Sequence, residues 1–190
     1  MRRTLIAFGL ALAFVQIGLA DEKPAAAEQA TAESDASEAD SLKYHDGTAD
    51  GKRSIAGTGE MITFGAPAGT KIGAIRIHGS RYGVAKAPDE SFLVYVQSGD
   101  QKRVLHTELV PYSTFERGEE KWVTVKFKEP VEVTPRFWVT LDFRAEKTKG
   151  VYVSYDSSTG GKHSRLGLPG IKASETKDKG DWMIEAAPAQ

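Results

Sequence analysis

Cysteine and asparagine are both missing from this sequence of 190 residues. Without cysteine, the chain can form no disulfide bond and carry no lipid-modified N-terminal cysteine, so its folded part must be stabilised by a hydrophobic core. Without asparagine, it has no N-glycosylation sequon and no Asn-Gly hairpin, so its turns rely on Gly, Asp and Pro. Long apolar runs are also scarce, because only the N-terminal segment approaches the apolarity of a membrane span.

The N-terminal segment has the pattern that is typical of a signal peptide. Arg2 and Arg3 precede an apolar run, and small residues end the segment at Gly18 and Ala20. The run is about 15 residues long, whereas a helix that spans a bilayer needs about 20, so cleavage after Ala20 is favoured over a permanent anchor. The sequence therefore predicts a signal peptide over residues 1–20 and a periplasmic or extracellular protein with no membrane span after cleavage. Both the general secretory and the twin-arginine routes stay open.

The charge of the chain changes after the first quarter. Residues 21–42 contain seven acidic residues and one lysine, and Leu42 is their only large apolar residue. Such a segment cannot bury enough surface to offset the entropy of ordering, so it is predicted to be a disordered linker. Residues 43–190 hold 22 basic and 19 acidic residues, a net charge of +3. This surplus is too weak and too scattered to indicate nucleic-acid binding.

Residues 43–190 are predicted to form one all-β domain. Short apolar runs alternate with Gly, Pro and charged clusters, and no helical periodicity is present. In the segment 136–143, Phe137, Val139, Leu141 and Phe143 fall on one face, which indicates a strand with one buried side. The fold predicted is an antiparallel two-sheet β-sandwich of jelly-roll type with eight or nine strands. The candidate strands are residues 60–64, 71–78, 92–97, 103–109, 122–127, 136–143, 150–155 and 182–186, with a ninth near 53–56.

The second face of these strands is the main functional hint. Trp138, Thr140 and Asp142 point away from the predicted core side of their strand. They are expected to share a side with polar and aromatic residues of other strands, namely Arg76, His78, Trp122, Tyr152 and Ser154. Aromatic rings beside hydrogen-bonding groups suit a sugar. The alternative is that long loops cover these aromatic residues.

Two segments carry further candidate ligand-binding residues. IHGSRYG, residues 77–83, is predicted to be a structured loop in which Arg81 and Tyr82 are available to a ligand. The alternative is that Arg81 pairs with an internal acid such as Asp142 or Asp156. PYSTFERG, residues 111–118, is either a ligand loop that uses Tyr112 and Arg117 or a crossover that packs onto the sandwich.

A calcium site is a further hypothesis for the start of the domain. Asp46 and Asp50 lie in the Gly-rich segment YHDGTADGK, and Asp181 or Glu185 could complete an oxygen site if the first and last strands are neighbours. The spacing does not reproduce an EF-hand loop. The alternative is a plain turn in which the Asp side chains cap backbone groups.

Catalytic signatures are missing from the sequence. There is no G-x-S-x-G elbow, no H-E-x-x-H and no phosphate-binding loop, and the four histidines are scattered singly. No arrangement assigns catalytic roles, so a non-catalytic protein without a cofactor, calcium aside, is favoured. A hydrolase with an unrecognised site that uses His78 is the second alternative.

Several motifs occur in a characteristic order over residues 44–187: YHDGTADGK, IRIHGSRYG, YSTFERGEEKWVTV, KGVYVSYD and GDWMIEA. Together they resemble a module of exported bacterial proteins that occurs alone after a signal peptide or appended to larger proteins, including predicted peptidases. The module is similar to galactose-binding-like jelly rolls in layout. The resemblance implies this fold but no assigned activity and no catalytic residues. His45 stands where an acid would be expected beside Asp46, which weakens the calcium hypothesis.

The sequence thus favours an exported, non-catalytic binding protein. A carbohydrate or another cell-envelope polymer is the leading candidate ligand. The first alternative is a protein-interaction module of an extracytoplasmic assembly, in which the acidic linker provides reach.

Cleavage of the signal peptide gives the first testable prediction. When the full-length chain is expressed in a secreting bacterial host, the exported protein should begin at Asp21, because the small residues ending at Ala20 form the cleavage site. Intact-mass spectrometry of the purified protein measures this directly. A mass that includes residues 1–20 would show that the apolar run is retained as an anchor.

Overall fold

The structure is a computed structural model that describes residues 41–190. The predicted signal peptide and nearly all of the predicted linker lie outside the described residues. Within the described range, eleven β-strands form two antiparallel sheets, and one 3-10 helix, Tyr112–Thr114, follows the fifth strand. No helix in this range has the length and apolarity needed to cross a membrane.

The two sheets are built from strands that are distant in sequence. The first sheet contains β1 (Gly51–Arg53), β3 (Lys71–Gly83), β6 (Lys121–Glu132), β8 (Lys149–Asp156), β10 (Asp181–Trp182) and β11 (Ile184–Pro188). The second sheet has the order β5-β4-β7-β2-β9, with β2 (Glu60–Gly65), β4 (Ser91–Ser98), β5 (Val104–Pro111), β7 (Arg136–Asp142) and β9 (Ser164–Leu166). The predicted all-β, antiparallel two-sheet fold is confirmed, with eleven strands where eight or nine were predicted, whereas the jelly-roll topology stays a prediction.

The strand β3 organises the first sheet. It is 13 residues long and pairs with β6 along one edge. Along its other edge it pairs first with β11 and then, from Gly79 to Gly83, with β8. The exchange takes place where the His78 amide donates to the Met183 carbonyl (3.0 Å) and the Met183 amide donates to the Ser154 carbonyl (2.8 Å). Met183, which connects β10 and β11, therefore lies between β3 and β8.

One sequence interpretation of this region is wrong. The strand was predicted to end at His78 and the rest of the segment 77–83 to be a loop, but β3 continues to Gly83. The two glycines that suggested a loop have other roles. A Cβ atom at Gly79 would lie 2.4 Å from the Tyr152 carbonyl oxygen, so this glycine allows the close approach of β8. Gly83 ends the strand with a φ of +91°, a conformation that glycine adopts without strain.

The hydrophobic core fills the space between the two sheets. Ile75 and Ile77 of β3 are fully buried against fully buried Phe64 of β2 and Val139 of β7. The predicted inward set is confirmed, since all of its members are buried: Phe137, Val139, Leu141 and Phe143. Because neighbouring strand residues point to opposite sides, this core fixes which residues of each sheet face outward.

Glu60, at the start of β2, is a carboxylic acid that lies wholly inside the fold. Its Oε1 atom accepts a hydrogen bond from the Ile55 amide (3.1 Å), while its Oε2 atom has no partner among the described residues. Burial raises the pKa of Glu60 to about 8, and the hydrogen bonds from backbone amides offset only part of this effect. Glu60 is therefore mostly protonated at neutral pH.

The raised pKa of Glu60 gives a prediction for the pH dependence of stability. The unfolded chain has a pKa near 4.5 for this group, so between that pH and about 8 the folded state binds the extra proton. Stability should accordingly decrease as pH rises through this window. Glu60→Gln stays neutral, so its melting temperature should exceed that of the wild type increasingly from pH 5 to pH 8. Parallel melting-temperature profiles for the two proteins would contradict the raised pKa.

Candidate functional site

The outer face of the first sheet, meaning the side away from the core, is polar and aromatic. Ile77 points into the core, so Arg76, His78, Ser80 and Tyr82 of β3 point outward. Neighbouring strands add register-paired residues to this face: Glu185 of β11 opposite Arg76, Trp122 of β6 opposite His78, Tyr152 of β8 opposite Ser80, and Ser154 of β8 opposite Lys52 of β1. The structure thus brings Arg76, His78, Trp122, Tyr152 and Ser154 to one face.

One end of this outer face is an open groove built around two tyrosines. The ring centroids of Tyr82 and Tyr152 lie 4.7 Å apart, with ring planes inclined by 35°. Gly150 makes room for this pair, because a Cβ atom there would lie 2.5 Å from the Tyr82 ring. The Tyr82 hydroxyl donates to the Glu146 carbonyl (2.9 Å), which fixes the ring. The groove has a volume of about 720 Å³ and is lined by Ser54, Ala56, Tyr82, Glu146, Lys147, Thr148 and Tyr152.

The middle of the outer face is crossed by an ion pair. Lys52 Nζ lies 2.5 Å from Glu120 Oε1, and the same ammonium group is 5.4 Å from the centroid of the Tyr152 ring. Ser80 Oγ also donates to Glu120 Oε1 (2.7 Å). Partial burial opposes ionisation of Glu120, but hydrogen bonds from Lys52 and Ser80 outweigh it and lower its pKa. Lys52 lies on β1, next to β8, and Glu120 directly precedes β6, which is next to β3. Their side chains therefore meet above β8 and β3.

The other end of the outer face holds a buried ionic cluster. Glu185 is 1% exposed; its Oε2 accepts a hydrogen bond from Arg76 (2.6 Å), and its Oε1 lies 3.2 Å from His45 Nε2. The Arg76 guanidinium carbon lies 5.0 Å from the centroid of the Trp122 ring. Burial would raise the pKa of Glu185, but the contacts with His45 and Arg76 prevail and hold it below its usual range. Glu185 is therefore ionised inside the protein.

His78 lies between this cluster and the ion pair in the middle of the face. Its Nδ1 is 2.9 Å from Ser154 Oγ, and its ring centroid is 5.1 Å from that of Trp122. Burial lowers the pKa of His78, while the charge of Glu120 acts in the opposite direction. A serine beside a neutral histidine resembles part of a hydrolase site, but Ser154 is 1% exposed. A nucleophile must reach its substrate, so this geometry favours a structural contact between β3 and β8.

Trp138 and Asp142 do not belong to this face. They lie on β7, in the second sheet, so the predicted grouping of these residues with Arg76 and His78 is wrong. Trp138 is buried and donates from its indole nitrogen to the Gly99 carbonyl (3.2 Å). Alternation assigns residues to the two sides of a strand, but it does not say which sheet a strand joins.

Arg81 and the segment 111–118 fulfil structural roles. Arg81 is buried, and its guanidinium donates to the carbonyls of Val84 (2.7 Å) and Ala85 (3.0 Å) rather than to an internal acid. Tyr112 is also buried, with its ring 5.9 Å from that of Phe92. Arg117 is exposed, and its backbone forms a bridge with Arg81. The segment that contains Tyr112 and Arg117 is therefore packed onto the sandwich, in keeping with the crossover interpretation.

The three predicted calcium ligands bind protein groups. The Oδ1 atom of Asp46 accepts from the Thr48 amide (2.7 Å), and an Asp50 oxygen accepts from the Ser157 amide (2.7 Å). Asp181 is buried and accepts from the His163 amide (2.8 Å). Within residues 41–190, no group of three or more histidine, aspartate or glutamate residues is arranged to hold a metal ion. Asp46 thus caps its own turn, whereas Asp50 and Asp181 accept hydrogen bonds from distant segments of the chain.

Known proteins provide no assignment for this site, so its geometry is the basis for interpretation. No protein-family model matches the chain, and a search of curated proteins found no match either. Several residues of the outer face were not predicted to belong to it, notably Lys52, Glu120 and Lys147, and Glu185 was considered only as a possible calcium ligand. The ninth strand was predicted near 53–56, so Lys52 was placed outside it. The others lack any local signal, since their importance depends on contacts between distant segments.

The buried cluster around Glu185 gives a stability prediction. Arg76→Met should lower the free energy of unfolding by about 2–3 kcal/mol, because it leaves the buried Glu185 carboxylate without its cation. Arg76→Met combined with Glu185→Leu should recover part of this loss, since the unpaired charge is then removed. Urea denaturation at pH 7 measures both. A double variant that is less stable than Arg76→Met would contradict this account.

Proposed function

We propose that residues 43–190 form an exported, non-catalytic binding module whose ligand is a carbohydrate or another cell-envelope polymer. The observation that carries the proposal is the pair of tyrosines, Tyr82 and Tyr152, in the open groove of the outer face. Export is inferred from the signal-peptide pattern of residues 1–20.

The chemistry of the groove supports a sugar ligand. The Tyr82 and Tyr152 rings offer flat apolar surface, against which the C–H side of a sugar ring can pack. Donors and acceptors stand beside them, including the Ser54 hydroxyl, 3.3 Å from that of Tyr82, and the ammonium group of Lys52 near Tyr152. A sugar hydroxyl both donates and accepts hydrogen bonds, so rings flanked by both kinds of group suit it.

A protein-interaction module is the alternative function. The feature that favours it is the edge strand β5, which carries Val104 (46% exposed) and Leu109 (64% exposed). An edge strand has unpaired backbone groups, and exposed apolar side chains add contact area for a partner. This surface belongs to the second sheet, so variants of the two sheets distinguish the two functions.

The sugar proposal predicts that the exported protein is retained on at least one polysaccharide of a panel of glycans and envelope polymers. Tyr152→Ala should weaken this binding about tenfold or more, because it removes one ring of the pair. Tyr95→Ala is a matched control, since Tyr95 is also half-buried but lies on the outer side of the second sheet. Affinity gel electrophoresis measures retention.

Thermal unfolding of each variant provides the fold control. Lys52→Ala, at an exposed position beside the Tyr152 ring, is a second variant that should weaken retention without loss of the fold. If the wild type is retained by no polymer, the sugar proposal fails and the partner-protein function is favoured. If Tyr152→Ala and Tyr95→Ala bind equally well, the groove is not the binding site.

A further inference from the structure

We propose that the binding site extends from the Tyr82–Tyr152 groove over the Lys52–Glu120 pair to Trp122, so that it binds an internal stretch of a polysaccharide chain rather than a single sugar. This inference rests on the proposed function and specifies its ligand as an extended chain.

Aromatic residues follow the outer face diagonally, from Tyr152 on β8 over Tyr82 and His78 on β3 to Trp122 on β6. Tyr82 and His78 lie on the same strand, four residues apart, which corresponds to about 13 Å. Tyr152 packs on Tyr82 at one end, and Trp122 lies opposite His78 at the other. Two aromatic platforms on one strip match a ligand with several rings in a row, since each platform can hold one ring.

The strip between the two platforms has small side chains on both of its central strands. Ser80 of β3 lies opposite Tyr152, Ser154 of β8 lies beside His78, and both serines are buried (2% and 1% exposed). The floor of the strip is therefore low. The Lys52–Glu120 pair lies across it, so a chain that runs from one platform to the other must contact this pair.

The chemistry of the Lys52–Glu120 pair suits the hydroxyl groups of a sugar chain. Both side chains are partly exposed, at 45% and 22%, and an exposed ion pair contributes little to stability. The ammonium group and the carboxylate can therefore separate and bind hydroxyl groups of a ligand instead, at a small cost in free energy. A donor and an acceptor that lie side by side match the hydroxyl groups of a sugar.

Exposed residues continue the strip at each end. Beyond Trp122, β6 continues with the exposed residues Thr124 and Lys126. Beyond the tyrosines, Lys147 and Thr148 are exposed at the rim of the groove. A chain can therefore continue past both platforms, which suits a polymer better than the end of a chain.

The test is the dependence of affinity on ligand length. Isothermal titration calorimetry of the exported protein should use two series of probes, β-1,4-linked N-acetylglucosamine oligomers and β-1,4-linked uronic acid oligomers, each from one to six units. For one series, the dissociation constant should fall about tenfold between two and six units, as the second platform becomes engaged. A dissociation constant that is independent of length would overturn the extended site.

Variants show which part of the strip each probe contacts. Trp122→Leu should bind the two-unit probe as the wild type does but lose the gain at six units. Glu120→Gln keeps the size of the side chain and both platforms, and it should weaken only the longer probes. Tyr152→Ala should weaken binding at every length. Melting temperatures and Tyr95→Ala serve as controls for the fold, because Trp122 also packs on Arg76.

The failures of the two proposals are distinguishable. If all lengths bind equally and Tyr152→Ala still weakens binding, the groove is a compact sugar site, so the extended site is refuted and the proposed function stands. If neither oligomer series binds, the retention of Trp122→Leu on the polysaccharide panel tests the extended site instead. Loss of its retention with the fold intact supports the extended site, whereas wild-type retention refutes it.

Discussion

The backbone pairing of β3 is the constraint on which the rest of the structure depends. This strand has β6 along one edge and shares the other between β11 and β8, with the exchange at His78 and Met183. The register of all four strands follows from it. One register places Ile75 and Ile77 in the core, and the same register places the polar residues between them and beyond them on the outer face. The same pairing pattern therefore determines both the core and the candidate site.

Two buried carboxyl groups show how local surroundings decide the state of an acid. Glu185 has the Arg76 guanidinium and His45 beside it, so it stays ionised despite its burial. Glu60 is also buried but has only backbone amides as partners, so it holds a proton to about pH 8. Glu185 connects β11 to β3 on the outer face through its ion pair with Arg76. Glu60 is a neutral acid in the interior, where an ion would be too costly.

Much of the fold could be predicted from the sequence, because local periodicity determines strands. The alternation in residues 136–143 identified β7 and its core-facing side correctly, but Trp138 and Thr140 on the other side are buried as well, at 9% and 0% exposed. The short strand β9 was missed, since three residues are too few to show alternation. The candidate site was only partly predictable: His78 and Tyr152 were assigned to a shared face, whereas Trp138 was placed there wrongly. The difference is a matter of sheet membership, which depends on long-range pairing that no local pattern contains.

The antiparallel bridge between Leu42 and Ala186 has a mechanical consequence. These residues exchange two backbone hydrogen bonds, of 2.9 and 3.1 Å, so the two ends of the described fold lie side by side. Tension applied through both ends would break the backbone hydrogen bonds of this edge one after another, beginning with those between Leu42 and Ala186. The strands β3, β6 and β8 lie outside the first part of this path. A module that is pulled at both ends would thus begin to open at β11, which carries Glu185 to the outer face, while the strands that hold Tyr82 and Tyr152 are still paired.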